Sequence, residues 1–160
     1  LIISADTLPS IPSTCYGVSK LHGEVRSSCD SKSILIRLPL LLSLRPNSQI
    51  VWKLLRKMQL DNQCSASCDV YSTPIYVEHL AKQIVTSIEK HIWPSRIIHA
   101  SSDVRVSLYE TLVNEAIRLG MQSRNIIKGF DKDYFSPETK PTLLGLKSSC
   151  SHFFFEMPNY

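Results

Sequence analysis

Glycine is scarce in this chain, with five residues in 160, at positions 17, 23, 120, 129 and 145. No three of them stand close enough to build the tight turn with which a glycine-rich backbone cradles a phosphate. Long apolar runs are missing as well. The longest, Leu38 to Leu44, is too short to span a bilayer and follows directly on Arg37, so no membrane partner is expected. The N-terminus has no basic stretch followed by an apolar core and a cleavage site; no secretory signal is expected, and a cytoplasmic location follows by default. Charge of one sign is not concentrated either. The net charge is +4, spread from Lys20 and Arg26 through Lys53, Arg56 and Lys57 to Lys140 and Lys147. No basic block is interleaved with aromatics, which argues against a nucleic-acid partner.

Cysteine is present without the pattern that would give it a role. Five residues at 15, 29, 64, 68 and 150 make an odd count with irregular spacing, which fits free thiols better than a disulfide framework. Cys64-Ser-Ala-Ser-Cys68 offers two sulfur ligands, but no second Cys or His pair with zinc-site spacing accompanies it. The histidines at 22, 79, 91, 99 and 152 are scattered, and no metal site is expected. There is no internal repeat and no low-complexity tract.

What is there is a soluble, globular composition, 43% hydrophobic and 20% charged, in a chain long enough for one unit with a sizeable core. Leu1 to Ala5 reads as a short buried strand. A Pro- and Ser-rich loop over 6–15 leads to a helix from Tyr16 to about Cys29. Ser33 to Arg37 is a second strand, ended by Pro39, and 38–48 reads as loop. Residues 49–60 show helical spacing through Ile50, Leu54, Leu55 and Met58. Cys68 to Thr73 looks extended and is broken at Thr73-Pro74.

From Val77 to His91 the residues Val77, Leu80, Ala81, Ile84, Val85 and Ile88 predict one buried helical face. Arg96 to Ala100 is a third strand. The best-marked helix starts at the capping box Ser107…Glu110, runs along Leu108, Leu112, Ala116 and Leu119, and stops at Gly120. A short strand is expected at Asn125 to Lys128 in an otherwise irregular 121–150. Strands alternating with amphipathic helices predict an α/β fold with a mostly parallel sheet.

The segment richest in chemistry is Tyr16-Gly-Val-Ser-Lys-Leu-His-Gly-Glu24. On a helix, Tyr16 and Lys20 at i and i+4 project from one face. A phenol that titrates near about 10 is a poor acid at neutral pH, and a neighbouring ammonium lowers that value by favouring the phenolate. Such a pair suits proton transfer to a carbonyl oxygen. The spacing alone is common, and an amphipathic helix with a surface lysine satisfies it equally well.

The surroundings of the pair carry more. Tyr-Gly-x-Ser-Lys-x-x-Gly-Glu, followed by a strand ending Ile36-Arg-Leu-Pro39, resembles the extended short-chain dehydrogenase/reductases, and among them the dTDP-4-dehydrorhamnose reductase branch. Thr73-Pro-Ile-Tyr-Val-Glu-His-Leu-Ala81, Ile97-Ile-His-Ala-Ser-Ser102, Val106-Ser-Leu-Tyr-Glu110 and Lys140-Pro-Thr-Leu-Leu-Gly-Leu-Lys147 are similar to later family elements, in the same order.

The resemblance implies the C-terminal half of a Rossmann-like NAD(P)-binding fold with a small substrate lobe. Elements within about 1–100 would complete the sheet, and those within about 45–75 and 103–150 would build the lobe. The nucleotide-binding half is expected to be absent. The resemblance further implies a reductase of a nucleotide-sugar carbonyl, with NADPH or NADH as cofactor. Tyr16 would be the catalytic acid, Lys20 the ribose-holding and phenol-tuning residue, and Ser4 a hydroxyl near the substrate carbonyl. Tyr16, Lys20 and Pro39 would contact the cofactor, and Thr73, Lys140 and Pro141 the substrate.

Two departures from the family pattern stand out. Ala5 occupies the middle position of the family's Ser-Thr-Asp or Ser-Ser-Asp strand end, beside Ser4 and Asp6, leaving Thr7 and Ser13 as other hydroxyl donors. The loop from Asp6 to Tyr16 is also much shorter than the family's. More weight falls on the missing nucleotide-binding half, without which the isolated chain is expected to be inactive. A second reading is a non-catalytic binding subunit, similar to the regulatory subunit of methionine adenosyltransferase, with the apolar tail His152 to Met157 as a surface for a protein partner or homodimer; packing of that tail on its own domain satisfies it equally well. A third is a nucleotide-sugar epimerase or dehydratase of the same superfamily.

Overall fold

The computed structural model describes residues 2–3, 15–46, 49–130, 145–146 and 154–155; side chains at 2, 3, 16, 17, 145, 146 and 154 are outside the description. Helix α1 spans Cys15–Ser28 and strand β2 spans Leu35–Arg37, after a first short strand β1 at Ile2–Ile3. Contrary to the expected loop over 38–48, the chain resumes as strand β3 at Leu41–Leu42. Strand β2 ends at Arg37, ahead of Pro39 as expected, and the Ile75 N–H donates to the Leu40 carbonyl at 3.1 Å where the separate β3 pairing begins.

Helix α2 (Ile50–Asp61) follows, then strands β4 (Cys64–Ser67), β5 (Tyr71–Ser72) and β6 (Ile75–Tyr76). The expected extension over 68–73 contains β5 alone, and β4 is a further strand, not expected, that ends just before it. Cys64, Ala66 and Ser67 are buried small residues, and without β-branched or aromatic side chains they give no strand signal in the sequence. Helix α3 (Val77–Glu89) leads to β7 (Ile97–His99), β8 (Ser101–Ser102) and β9 (Val106–Ser107). Helix α4 (Leu108–Arg118) and a 3-10 turn then precede β10 (Ile126–Gly129), β11 (Gly145–Leu146) and β12 (Phe154–Phe155).

Among the described residues, five of the six strand pairings are parallel: β1 with β11, β2 with β7, β3 with β6, β4 with β10, and β8 with β12. The sixth, β5 with β9, is antiparallel. Parallel neighbours require crossover connections, and α3 and α4 stand directly before β7 and the 3-10 turn into β10 to supply them. The fold is α/β with parallel strands, as the alternation of elements predicts.

Two buried clusters organise the molecule. One, on the sheet side, comprises Ile75, Leu80, Ile98 and Ala100, with Ile36, Leu41, Ile84 and Phe155 against it. The other joins α2, β4, α4 and β10 through Val51, Leu55, Met58, Cys64, Ala66, Leu112, Ala116 and Ile126. The pair β3–β6 divides them. Its register sets Leu41 opposite Ile75 and Leu42 opposite Tyr76. Because successive strand residues face opposite sides, Leu41 and Ile75 enter the first cluster while Leu42 and Tyr76 enter the second.

The helices correct the sequence in detail. In α2 Leu55 and Met58 are buried and Leu54 packs against the cluster as expected, while Ile50 is exposed and Val51 is buried beside them instead. In α3 only Leu80 and Ser87 are fully buried; Val85 and Ile88 remain 52% and 56% exposed, against the expectation of one continuous buried face. A helix packed on one surface buries a single stripe, here through 80, 84 and 87, and the neighbouring stripe is turned outward. Helix α4 follows the expected design. Both capping-box bonds are present, from Glu110 N–H to Ser107 Oγ at 3.1 Å and from Ser107 N–H to Glu110 Oε2 at 2.7 Å. Gly120 adopts φ +68°, the left-handed conformation that closes a helix. At the C-terminus, Phe155 packs on the sheet-side cluster, so this part of the apolar tail is covered by its own chain. Among the described residues no helix is long and apolar enough to cross a membrane.

Candidate active site

Helix α1 is continuous over Cys15–Ser28, which sets Tyr16 and Lys20 one turn apart in its first half. Lys20 is exposed, and the Tyr16 side chain lies outside the description. One further turn along stands Glu24. Its carboxylate meets the Arg37 guanidinium edge to edge: Nε donates to Oε1 at 3.0 Å and Nη2 to Oε2 at 2.7 Å. Both side chains are substantially covered, at 25% and 13% exposure.

The third nitrogen of Arg37, Nη1, lies 3.3 Å from Nε2 of the buried His99. A guanidinium only donates, so a hydrogen bond here has the histidine nitrogen as its acceptor. The contact follows from strand register. Parallel pairing of β2 and β7 puts Arg37 directly beside His99 on one face of the sheet. At the far end of α1, Arg96 Nη2 donates to the carbonyls of Ser28 at 3.2 Å and Asp30 at 2.7 Å, where a cation also complements the helix dipole.

Pro39 is half-buried just past the carboxyl end of β2, the side of a parallel sheet on which ligands collect. The carboxyl ends of β3 and β6 meet at Glu78, in the first turn of α3. Its Oε1 accepts from Ser43 Oγ at 2.7 Å and from the Leu44 N–H at 3.0 Å, while Oε2 is buried without a partner. Burial, the largest influence, pushes this carboxyl up. Hydrogen bonds from Ser43, its own backbone and Leu44, with the nearby His79, outweigh it and leave the group below the usual glutamate value. Thr73 is buried between β5 and β6, with its carbonyl accepting from the Ser102 N–H at 3.5 Å. Ser4, Lys140 and Pro141 lie outside the described residues, as do Ala5, Asp6, Thr7 and Ser13.

Two groupings are not visible in the sequence. One is Glu24–Arg37–His99. The other lies beside the α2–α4 cluster: Tyr76 Oη donates to Oε1 of the buried Glu115, and Arg118 reaches the same carboxylate through Nε at 3.2 and 3.1 Å and Nη2 at 2.7 Å. Only the i, i+3 spacing of Glu115 and Arg118 hints at this in sequence. Cys64 lies in the core, and burial pushes its thiol up against the smaller pull of Lys57. Among the described residues no group of three or more His, Cys, Asp or Glu side chains could hold a metal ion.

The model of the RmlD substrate binding domain matches residues 5–148. The chain belongs to this family. The fold of its solved relatives is the same, at identities that speak to fold alone. A dTDP-4-dehydrorhamnose reductase from Yersinia enterocolitica superposes with a TM-score of 0.78 at 21% identity, covering 94% of this chain and 53% of the reductase. The Bacillus anthracis dTDP-4-dehydrorhamnose reductase, in complex with NADP, gives 0.79 at 20% identity, with 96% and 54% covered. A UDP-glucuronic acid 4-epimerase from Bacillus cereus, in complex with NAD, gives 0.64 at 20% identity, with 92% and 46% covered. This RmlD-type chain thus spans about half the length of the enzymes it superposes on. No curated protein matches it in sequence.

Proposed function

We propose that this chain is the catalytic-helix and substrate-lobe portion of an NAD(P)-dependent reductase of a nucleotide-sugar carbonyl, of the dTDP-4-dehydrorhamnose reductase type. The observation that carries the reading is the family match over residues 5–148, whose span includes a helix with Tyr16 and Lys20 one turn apart. In this reading the Tyr16 hydroxyl donates its proton to the carbonyl oxygen of the substrate. The Lys20 ammonium stabilises the phenolate left behind and holds a ribose hydroxyl. Ser4 orients the carbonyl, Pro39 lines the cofactor side, and Thr73, Lys140 and Pro141 face the substrate. When bound, the nicotinamide supplies the hydride that completes reduction of the carbonyl carbon to an alcohol.

The residues fit one end of that cofactor. Lys20 is exposed on α1, and Pro39 lies at the carboxyl end of a parallel strand, as the ribose and nicotinamide require. Among the described residues the pyrophosphate end finds no cradle. Gly23 is internal to α1, Gly120 closes α4, and the sequence has no closely spaced glycine triplet. The chain alone is therefore expected to show no NADPH binding measurable by calorimetry.

Joined in one polypeptide to the glycine-rich half of a related reductase, it is expected to oxidise NADPH with dTDP-4-dehydrorhamnose. Tyr16→Phe should then lower kcat by roughly 100-fold or more. Turnover equal to the parent in Tyr16→Phe would refute the assignment.

A further inference from the structure

We propose that Glu24 and Arg37 form a clamp that sets the rotation of α1 and, through it, the direction of Tyr16 and Lys20; Glu24 and Arg37 are positioning residues. The inference rests on the reading of α1 as the helix that carries the reaction.

Tyr16, Lys20 and Glu24 follow one another at four-residue steps, so each is turned only about 40° from the last and all three share one side of the helix. Whatever holds Glu24 in place also orients the other two. Apolar packing does little of this. No described side chain of α1 is fully buried, only Leu21, Glu24 and Ser27 are half-covered, and Val18 and Val25 face outward. A smooth, half-buried surface lets a helix roll.

A planar guanidinium joined to a carboxylate by two parallel bonds resists rolling, because rotation of the helix breaks both bonds together. Arg37 is in turn fixed from behind. Its backbone is in the β2–β7 ladder, and Nη1 is engaged by His99 Nε2, so the guanidinium is held on two edges. Arg96 anchors the other end of α1 through backbone carbonyls, which constrains the end's position more than the direction of any side chain.

Hydrogen exchange read amide by amide on the 160-residue chain tests the clamp without turnover. Glu24→Gln is expected to raise exchange across α1 about tenfold, the effect of losing a charge-assisted contact. The α4 amides should stay within about twofold of the parent, since they belong to a separate packing unit. The paired exchange Glu24→Arg/Arg37→Glu should restore protection that either single change removes. With 3-fluorotyrosine at position 16, one fluorine resonance in the parent should broaden or split in Glu24→Gln.

Parent-like exchange of α1 in Glu24→Gln refutes the clamp, and so does loss of protection in α1 and α4 together. Failure of the paired exchange to rescue does the same. Should Glu24→Gln not fold, Arg37→Lys, which keeps the charge and loses the second parallel bond, decides the matter: several-fold faster exchange in α1 supports the clamp, and none refutes it. None of these readouts needs catalysis. The clamp can therefore stand where the reductase reading fails, and the Tyr16→Phe result can stand where the clamp fails.

Discussion

The two ends of this molecule are held by different physics. Around α2 and α4, ten side chains form one buried cluster in which Leu112 and Ala116 are inaccessible. The deeply buried carboxylate there, Glu115, is met by Tyr76 and Arg118. Around α1 no described side chain is fully buried, and guanidinium groups on β2 and ahead of β7 hold the helix to the sheet. Apolar burial fixes how far apart elements lie but is tolerant of direction. Charged, planar contacts add little net stability yet are exacting in angle. The α2–α4 region is held mainly by the first, and α1 by the second.

Substitutions can break this contrast at several strengths. The largest effect is expected from Glu115→Leu, which strands Arg118 and the Tyr76 hydroxyl in the lobe; about 4 kcal/mol should be lost in urea denaturation. Leu112→Ala, at a fully buried site, should cost about 3 kcal/mol by the same measurement, whereas the mild truncation Ile98→Val in the smaller cluster should cost about 1 kcal/mol. A lobe that loses no more than the sheet side would erase the distinction.

Ser107→Ala removes the capping-box acceptor of α4 and should lower stability by about 1 kcal/mol. Glu78 sharpens the comparison through pH. Its carboxyl is held below the usual value, so its stabilising contribution is complete above the ordinary glutamate range near about 4.3 and is lost as the pH falls through the lower folded value. Glu78→Gln should therefore flatten the acid limb of a stability–pH profile, and an unchanged limb would show that other carboxylates govern it. The smallest effect is expected for Val85→Lys on the outward stripe of α3, within about 0.5 kcal/mol by thermal melting.

Legibility in the sequence follows the range of the interactions. Both ends of α4 are readable because Ser107, Glu110 and Gly120 act on neighbours a few residues away. The helical span of α1 and the strand ending at Arg37 are readable for the same reason. Strand β4 is hidden because Cys64-Ser-Ala-Ser67 has small side chains whose burial depends on the helices packed against it. The outward stripe of α3 is illegible because Val85 and Ile88 obey the same period as Leu80 and Ile84, and composition cannot say which of two apolar stripes meets the sheet.

The alternation of elements, the ends of α4 and the one-turn spacing of Tyr16 and Lys20 follow from the residue order, since each depends on local backbone preference or helical period. Only the folded chain shows what α1 is held by. Glu24 meets Arg37 across 13 residues and Arg37 meets His99 across 62, the second because β2 and β7 pair in one particular register. Strand register is settled by the summed packing of a whole sheet, and no local stretch of sequence contains it.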